Sequence, residues 1–214
     1  MRDALQTEKL YLRWGAFMVC NVSLRVEMGQ MLAVGGKGRA GKSTLIRGIG
    51  GALDPEAGRI TYWGKELCED EARIRRQMSV VYDAPNFNTE FKADRLAREL
   101  AKHEPFFDRE AFLTYMEQME LDIGMRVKMY APDMQKKLML ILAVCRGPQL
   151  LVIDEPTRGA DADSKKRMWD LIEDYRKRSG AAVVYTAHHE EEILRADRAI
   201  YLKSGAVVQK EDWR

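Results

Sequence analysis

Apolar residues in this chain gather in short runs, separated by stretches in which they recur every third or fourth position. Residues 30–34, 78–82, 150–153, 181–186 and 199–202 are such runs, each set off by Gly or polar residues on at least one side. Runs of that length without polar alternation suit strands covered on both faces of a sheet. Residues 59–63 read as a further short strand, between the turn sequence Asp54-Pro55-Glu56-Ala57-Gly58 and Gly64. Helical spacing takes over in the middle of the chain. Phe112, Tyr115, Met116 and Met119 stand at i, i+3, i+4 and i+7, with Asp108 as the expected N-cap. A second helix is expected to begin near Pro132, to bury Met134, Leu138, Ile141, Leu142 and Cys145, and to stop at Arg146, Gly147 and Pro148. A third turns Met168, Leu171, Ile172 and Tyr175 inward and ends at Gly180, and a shorter one runs from near Gly41 to about Ile49. Strand–helix alternation of this kind predicts an α/β fold with a parallel, doubly wound sheet, into which the helical middle is inserted. No internal repeat, low-complexity tract or flexible linker interrupts it.

Composition adds mainly exclusions. The 214 residues are 46% hydrophobic and 32% charged, enough for a sizeable core. The net charge is +2, with 35 basic residues interleaved among 33 acidic ones, so no concentrated basic face and no nucleic-acid partner are expected. Cys20, Cys68 and Cys145 fit neither a zinc spacing nor a disulfide framework and read as reduced thiols of a cytosolic protein. The longest apolar run, residues 138–145, is far short of the about 20 that a membrane span needs. Residues 1–6 carry an acid and no apolar leader core. Any role at a membrane is therefore expected to come through a partner.

Residues 36–43, Gly-Lys-Gly-Arg-Ala-Gly-Lys-Ser, match G-x-x-x-x-G-K-[S/T] at every fixed position. Glycines let several backbone N–H groups turn toward one phosphate, the following helix presents its positive end, and Lys42 reaches the outer phosphates. Ser43 offers a hydroxyl to Mg²⁺. Gly36, Lys37, Gly38, Arg39, Ala40, Gly41, Lys42, Ser43 and Thr44 are thus the expected nucleotide-binding residues. The run 150–153 ends in Asp154 and Glu155. Two acids there also suit a helix N-terminus, but beside a phosphate loop the first can hold Mg²⁺ and the second can polarise the attacking water.

Ile153-Asp154-Glu155-Pro156-Thr157, then Arg158-Gly159-Ala160-Asp161, resembles the Walker B motif and D-loop of ATP-binding cassette (ABC) proteins, and the order of parts matches that family along nearly the whole chain. The resemblance implies a phosphate-loop NTPase cassette with a RecA-like parallel core, an antiparallel β subdomain at the N-terminus and an inserted α-helical subdomain. Residues 1–214 would form one ATPase domain, with 1–85 and 147–214 as core and β subdomain and 86–146 as the helical part. It implies ATP and Mg²⁺ as cofactors, Glu155 as catalytic base and His188 as the histidine that contacts the γ-phosphate. Register after the strand 181–186 favours His188 over its neighbour His189. Trp14 stands where the family stacks an aromatic residue on adenine, although a core position would suit it too. Asp161 would communicate across a dimer.

Three departures reshape the expectation. The family's signature, usually LSGGQ, falls at Tyr130-Ala131-Pro132-Asp133-Met134, without its serine or either glycine. In the family that segment caps the γ-phosphate of the opposite cassette. Ala131 removes the hydroxyl, Pro132 removes an N–H, and Asp133 puts a negative charge where a phosphate should sit. The Q-loop glutamine is replaced by Asp83, which can accept but not donate, and is expected to ligate Mg²⁺ with Ser43 and Asp154. Arg39 replaces a favoured glycine and is expected to point outward at little cost. Turnover is therefore expected to be low, in a poorly capped homodimer or in a heterodimer with a cassette that carries an intact signature.

By resemblance the chain is an ATP-hydrolysing subunit that powers a separate transmembrane permease and sits on the cytoplasmic face of the membrane through it. Gln135-Lys136-Lys137 and Asp83 look most like exporters of drugs, peptides or antibiotics. A groove around residues 86–91, with Phe87 and Phe91 as anchors, is expected to receive a short permease helix, unless those rings belong to the core. An ATP-binding regulatory module with little hydrolysis is the alternative raised by the altered signature. A soluble cassette protein of translation or DNA repair is disfavoured, because neither a second cassette nor long heptad arms are present.

Overall fold

A long antiparallel hairpin, β1 (Asp3–Trp14) and β2 (Phe17–Glu27), opens the computed structural model, which describes residues 3–213. Met1 and Arg2, part of the stretch read as lacking a leader core, lie outside the described residues, as does Arg214. β3 (Met31–Gly35) leads through the phosphate loop into α1 (Lys42–Ile49). β4 (Ala57–Tyr62), β5 (Lys65–Glu66), α2 (Glu71–Gln77) and β6 (Met78–Val81) follow. Then come α3 (Ala93–His103), α4 (Arg109–Gln118) and α5 (Pro132–Cys145), with no strand between them. β7 (Leu150–Ile153), α6 (Ala162–Ser179), β8 (Ala182–Ala187), the short α7 (Glu190–Ile193) and the hairpin β9 (Arg198–Lys203)–β10 (Ala206–Val208) complete the order.

The strands of the described residues share one sheet, ordered β5-β4-β1-β2-β10-β9-β3-β8-β7-β6. From β9 to β6 every pair is parallel, whereas β5, β4, β1 and β2 pair antiparallel. The two halves join where Ala206 bridges Cys20. β3, β7 and β8 are buried at every residue, which is why their sequences do not alternate. Successive side chains feed two cores. Ala33, Leu151, Ile153, Val183 and Tyr185 pack with α5 and α6, while Val34, Leu150, Val152, Ala182 and Val184 pack with α1 and the β1–β2 hairpin. The fold is α/β, with a parallel core, an antiparallel β layer and an inserted helical segment.

Local signals set the helix ends. The Asp108 carboxylate accepts the Ala111 N–H at 2.8 Å and caps α4. Gly147 after α5 and Gly180 after α6 both take φ +67°, a left-handed turn that suits glycine. Met134 departs from its expected core position: it lies half-buried in the first turn of α5, and full burial begins only at Lys136. Residues 138–145, the longest apolar run, are buried throughout. Among the described residues, no helix is long and apolar enough to cross a membrane.

Candidate nucleotide-binding site

The parallel sheet delivers β3, β7 and β8 side by side, so the loops at their ends meet. A Cβ on Gly36 would lie 2.8 Å from the Leu202 carbonyl oxygen and 2.9 Å from Ala40 Cβ, so only glycine fits where the loop turns away from β3. Gly41 takes φ +106° as the N-cap of α1. Arg39 is exposed, as expected, but its φ of +63° is left-handed. A side chain in that conformation costs roughly 1 kcal/mol, the physical reason a glycine is easier there. Lys42 is buried, and its Nζ donates to the carbonyls of Gly36 (2.7 Å) and Lys37 (3.2 Å). The same Nζ lies 3.2 Å from Nε2 of His188. Burial pushes the Lys42 pKa below its ordinary value, opposed by the nearby charges of Glu155 and Asp154.

Asp154 is buried at the end of β7, where its Oδ1 accepts the Thr186 hydroxyl at 2.7 Å. That hydroxyl also accepts the Glu155 N–H at 2.8 Å. Glu155 takes φ +48°, a strained backbone for a residue with a side chain. Its Oε1 contacts Nε2 of His188, and its Oε2 lies 3.6 Å from Nε of Arg158. Lys42, His188, Glu155 and Arg158 thus form one connected line along a cleft of about 860 Å³. Residues 38–44, Trp14, Phe17 and His189 complete its wall. Trp14 is 51% exposed with the Arg47 guanidinium 4.4 Å from its ring centroid, so it lies at the surface of the cleft and not in the core.

Ser43 on the wall and Asp154 beneath the loop are hard oxygen donors, few in number. That set fits Mg²⁺, which keeps several waters and phosphate oxygens in its shell. Asp83, expected to join them, is engaged elsewhere: both its carboxylate oxygens accept from Arg158 Nη1, at 3.0 and 2.9 Å. Ala131, Pro132, Asp133 and Met134 do not line the cleft. Ala131 caps α5 with no side-chain hydrogen bond, Pro132 occupies the first turn, and Asp133 lies 3.7 Å from Lys137 Nζ. Asp161 caps α6 by accepting the Ser164 N–H at 2.7 Å, and that bond holds its pKa below the usual carboxylate value. His189 stands at the N-cap position of α7 and lines the cleft without the contacts that His188 makes.

Phe17 and Thr186 lie outside the motifs, and Arg158 and Lys136 lie within them without a role that the sequence reveals. Phe17 faces Trp14 across the β1–β2 turn, a pairing visible as two aromatics flanking Gly15-Ala16. Thr186 acts through contacts between distant segments that no spacing signals, whereas Arg158 stands three residues after Glu155 and reaches Asp83 across the fold. Lys136 is buried, with Nζ donating to the carbonyls of Tyr82 (2.7 Å) and Asp154 (2.5 Å). Burial pushes its pKa down to about 8. No sequence signal separates it from its neighbour Lys137, which stands directly before the apolar run. A separate groove of about 330 Å³ lies between α3 and α5, lined by Ser79, Asn86, Phe87, Leu100, Glu104, Met139, Leu142 and Arg146. Phe91 is not on its wall and packs instead under the Arg95 guanidinium, 3.8 Å away.

Residues 19–158 match the profile of a family described as ABC transporter. The Nod factor export ATP-binding protein I of Rhizobium etli is 30% identical over 88% of this chain and 61% of its own length. The energy-coupling factor transporter ATP-binding protein of Staphylococcus epidermidis is 24% identical over 91% of this chain and 72% of its own. In fold, the chain is similar to a solved structure described as the ATP binding subunit of an ABC transporter. The TM-score is 0.83 at 24% identity, covering 95% of this chain and 88% of the other.

Proposed function

The chain belongs to the ABC transporter family, and from that premise we propose that it is the ATP-hydrolysing subunit of a transporter whose membrane-spanning part is a separate chain. The observation that carries this reading is the connected line Lys42–His188–Glu155 beside the phosphate loop. Lys42 binds the outer phosphates, Glu155 polarises the attacking water, and His188 touches both and senses the γ-phosphate. Ser43 and Asp154 would hold Mg²⁺, which neutralises phosphate charge when bound. Trp14 and Phe17 offer the adenine a platform. The names of the rhizobial and staphylococcal relatives support a transport role. The groove at Phe87 and Met139, mixed in lining with Asn86, Glu104 and Arg146, gives a short permease helix a seat.

The N-terminus of α5 argues for pairing with a different cassette. With Ala131, Pro132 and Asp133 there, a homodimer caps both nucleotides poorly, whereas a partner with an intact signature completes the site built on this chain. The same observation favours a second reading, an ATP-binding regulator that hardly hydrolyses. Binding of Mg-ATP and its hydrolysis separate the two. Lys42→Ala is expected to abolish binding, while Glu155→Gln binds as the wild type does and loses turnover. A wild type that binds but turns over no faster than Glu155→Gln supports the regulator, and unchanged affinity in Lys42→Ala contradicts both readings.

A further inference from the structure

Among the described residues, Arg158 is the cation on the cleft wall that reaches Glu155 from outside the phosphate loop and His188. Its guanidinium is held on two sides. Nη1 donates to both oxygens of Asp83, and Nε faces Oε2 of Glu155 at 3.6 Å. The two acids it bridges come from different segments, one just after β6 and one just after β7. Lys136 fixes their spacing from below, because its Nζ donates to the carbonyls of Tyr82 and Asp154, the residues immediately before Asp83 and Glu155. Glu155 needs such support, since its left-handed φ of +48° persists only where surrounding contacts over-determine it.

We propose that Arg158 is a positioning residue for ATP hydrolysis, anchored on Asp83 and holding Oε2 of Glu155 while His188 holds Oε1. This rests on Glu155 being the catalytic base. Asp83 then serves as the anchor of that arginine and not as a metal ligand. Its carboxylate takes Nη1 of the guanidinium, so the effect is expected on the chemical step and not on nucleotide affinity.

Single-turnover hydrolysis, with the full chain in excess over labelled Mg-ATP, tests this alongside ATP affinity. Arg158→Ala is expected to slow hydrolysis about tenfold with affinity within about twofold, the pattern of a group that acts only on the transition state. Arg158→Lys restores the rate to within about threefold of wild type. Asp83→Ala slows it to a similar degree, and combining it with Arg158→Ala adds nothing, because the two act as a unit. Arg158→Gln, which keeps length and loses charge, carries the same expectation if the alanine variant fails to fold. Wild-type rates in Arg158→Ala and Arg158→Gln, with Glu155→Gln inactive, overturn this inference and leave the proposed function standing. So does a loss of affinity as large as the loss of rate. A wild type no faster than Glu155→Gln removes the proposed function and this inference with it.

Discussion

Thr186 has no solvent exposure, and its one hydroxyl serves two neighbours, donating to Asp154 and accepting from the Glu155 N–H. Thr186→Val keeps the shape and orphans both partners in a buried place. A loss of about 2 kcal/mol is expected, read as a lower urea midpoint at unchanged slope. Lys136 makes a prediction in pH. An unfolded lysine keeps its proton to about pH 10.4, while buried Lys136 gives it up near pH 8. Between those values the unfolded chain binds a proton that the folded chain does not, so stability rises with pH across the window, by on the order of 1 kcal/mol per unit. Urea midpoints between pH 8 and 10 in a chelating buffer should therefore climb for wild type relative to Lys136→Met, and a difference that does not vary with pH contradicts the burial argument. Thr186 and Arg158 were hard to read in the chain for the same reason. Lys42, Asp154 and Glu155 belong to motifs whose spacing is local. Thr186 becomes a partner of Asp154 only through the register of β8 against β7, and Arg158 finds Asp83 only when the ends of β6 and β7 meet.

α5 carries the feature on which the proposed pairing turns. Its first turn holds Pro132 and Asp133, both favourable to a free helix N-terminus and both unsuited to receiving a phosphate. The triple variant Ala131→Ser, Pro132→Gly, Asp133→Gly restores a hydroxyl and an N–H and removes the charge. We expect ATP turnover to rise at least about tenfold while stability falls by about 1–2 kcal/mol, from the looser backbone and the lost interaction with the helix end. A variant as slow as wild type would show that the signature does not limit the rate. The start of α4, both ends of α5 and the end of α6 were legible in Asp108, Pro132, Gly147 and Gly180. α3 carries the same helical spacing in Ala93, Leu96, Ala97 and Leu100, but Lys92 at its N-cap gives no start signal. The long β1–β2 hairpin was legible only as strands and turns, since register shifts along β1 break its alternation.

For the molecule as a whole, the parallel half of the sheet was clear in its unbroken apolar runs, and the helical insertion in its change of period. How the halves join was not, since the link is one bridge between Ala206 and Cys20 with no sequence signal of its own. On the proposed reading, one cleft gathers the phosphate-binding and hydrolytic groups, while the first turn of α5 offers Pro132 and Asp133 to a second cassette. Such a chain should work slowly by itself. Steady-state ATP turnover by the purified wild-type chain tests that combination. Turnover is expected well below the ~1–10 s⁻¹ of ordinary enzymes, yet measurably above that of Glu155→Gln. A rate within the ordinary range contradicts the deficient signature, and a rate equal to that of Glu155→Gln contradicts a hydrolytic role for this cleft.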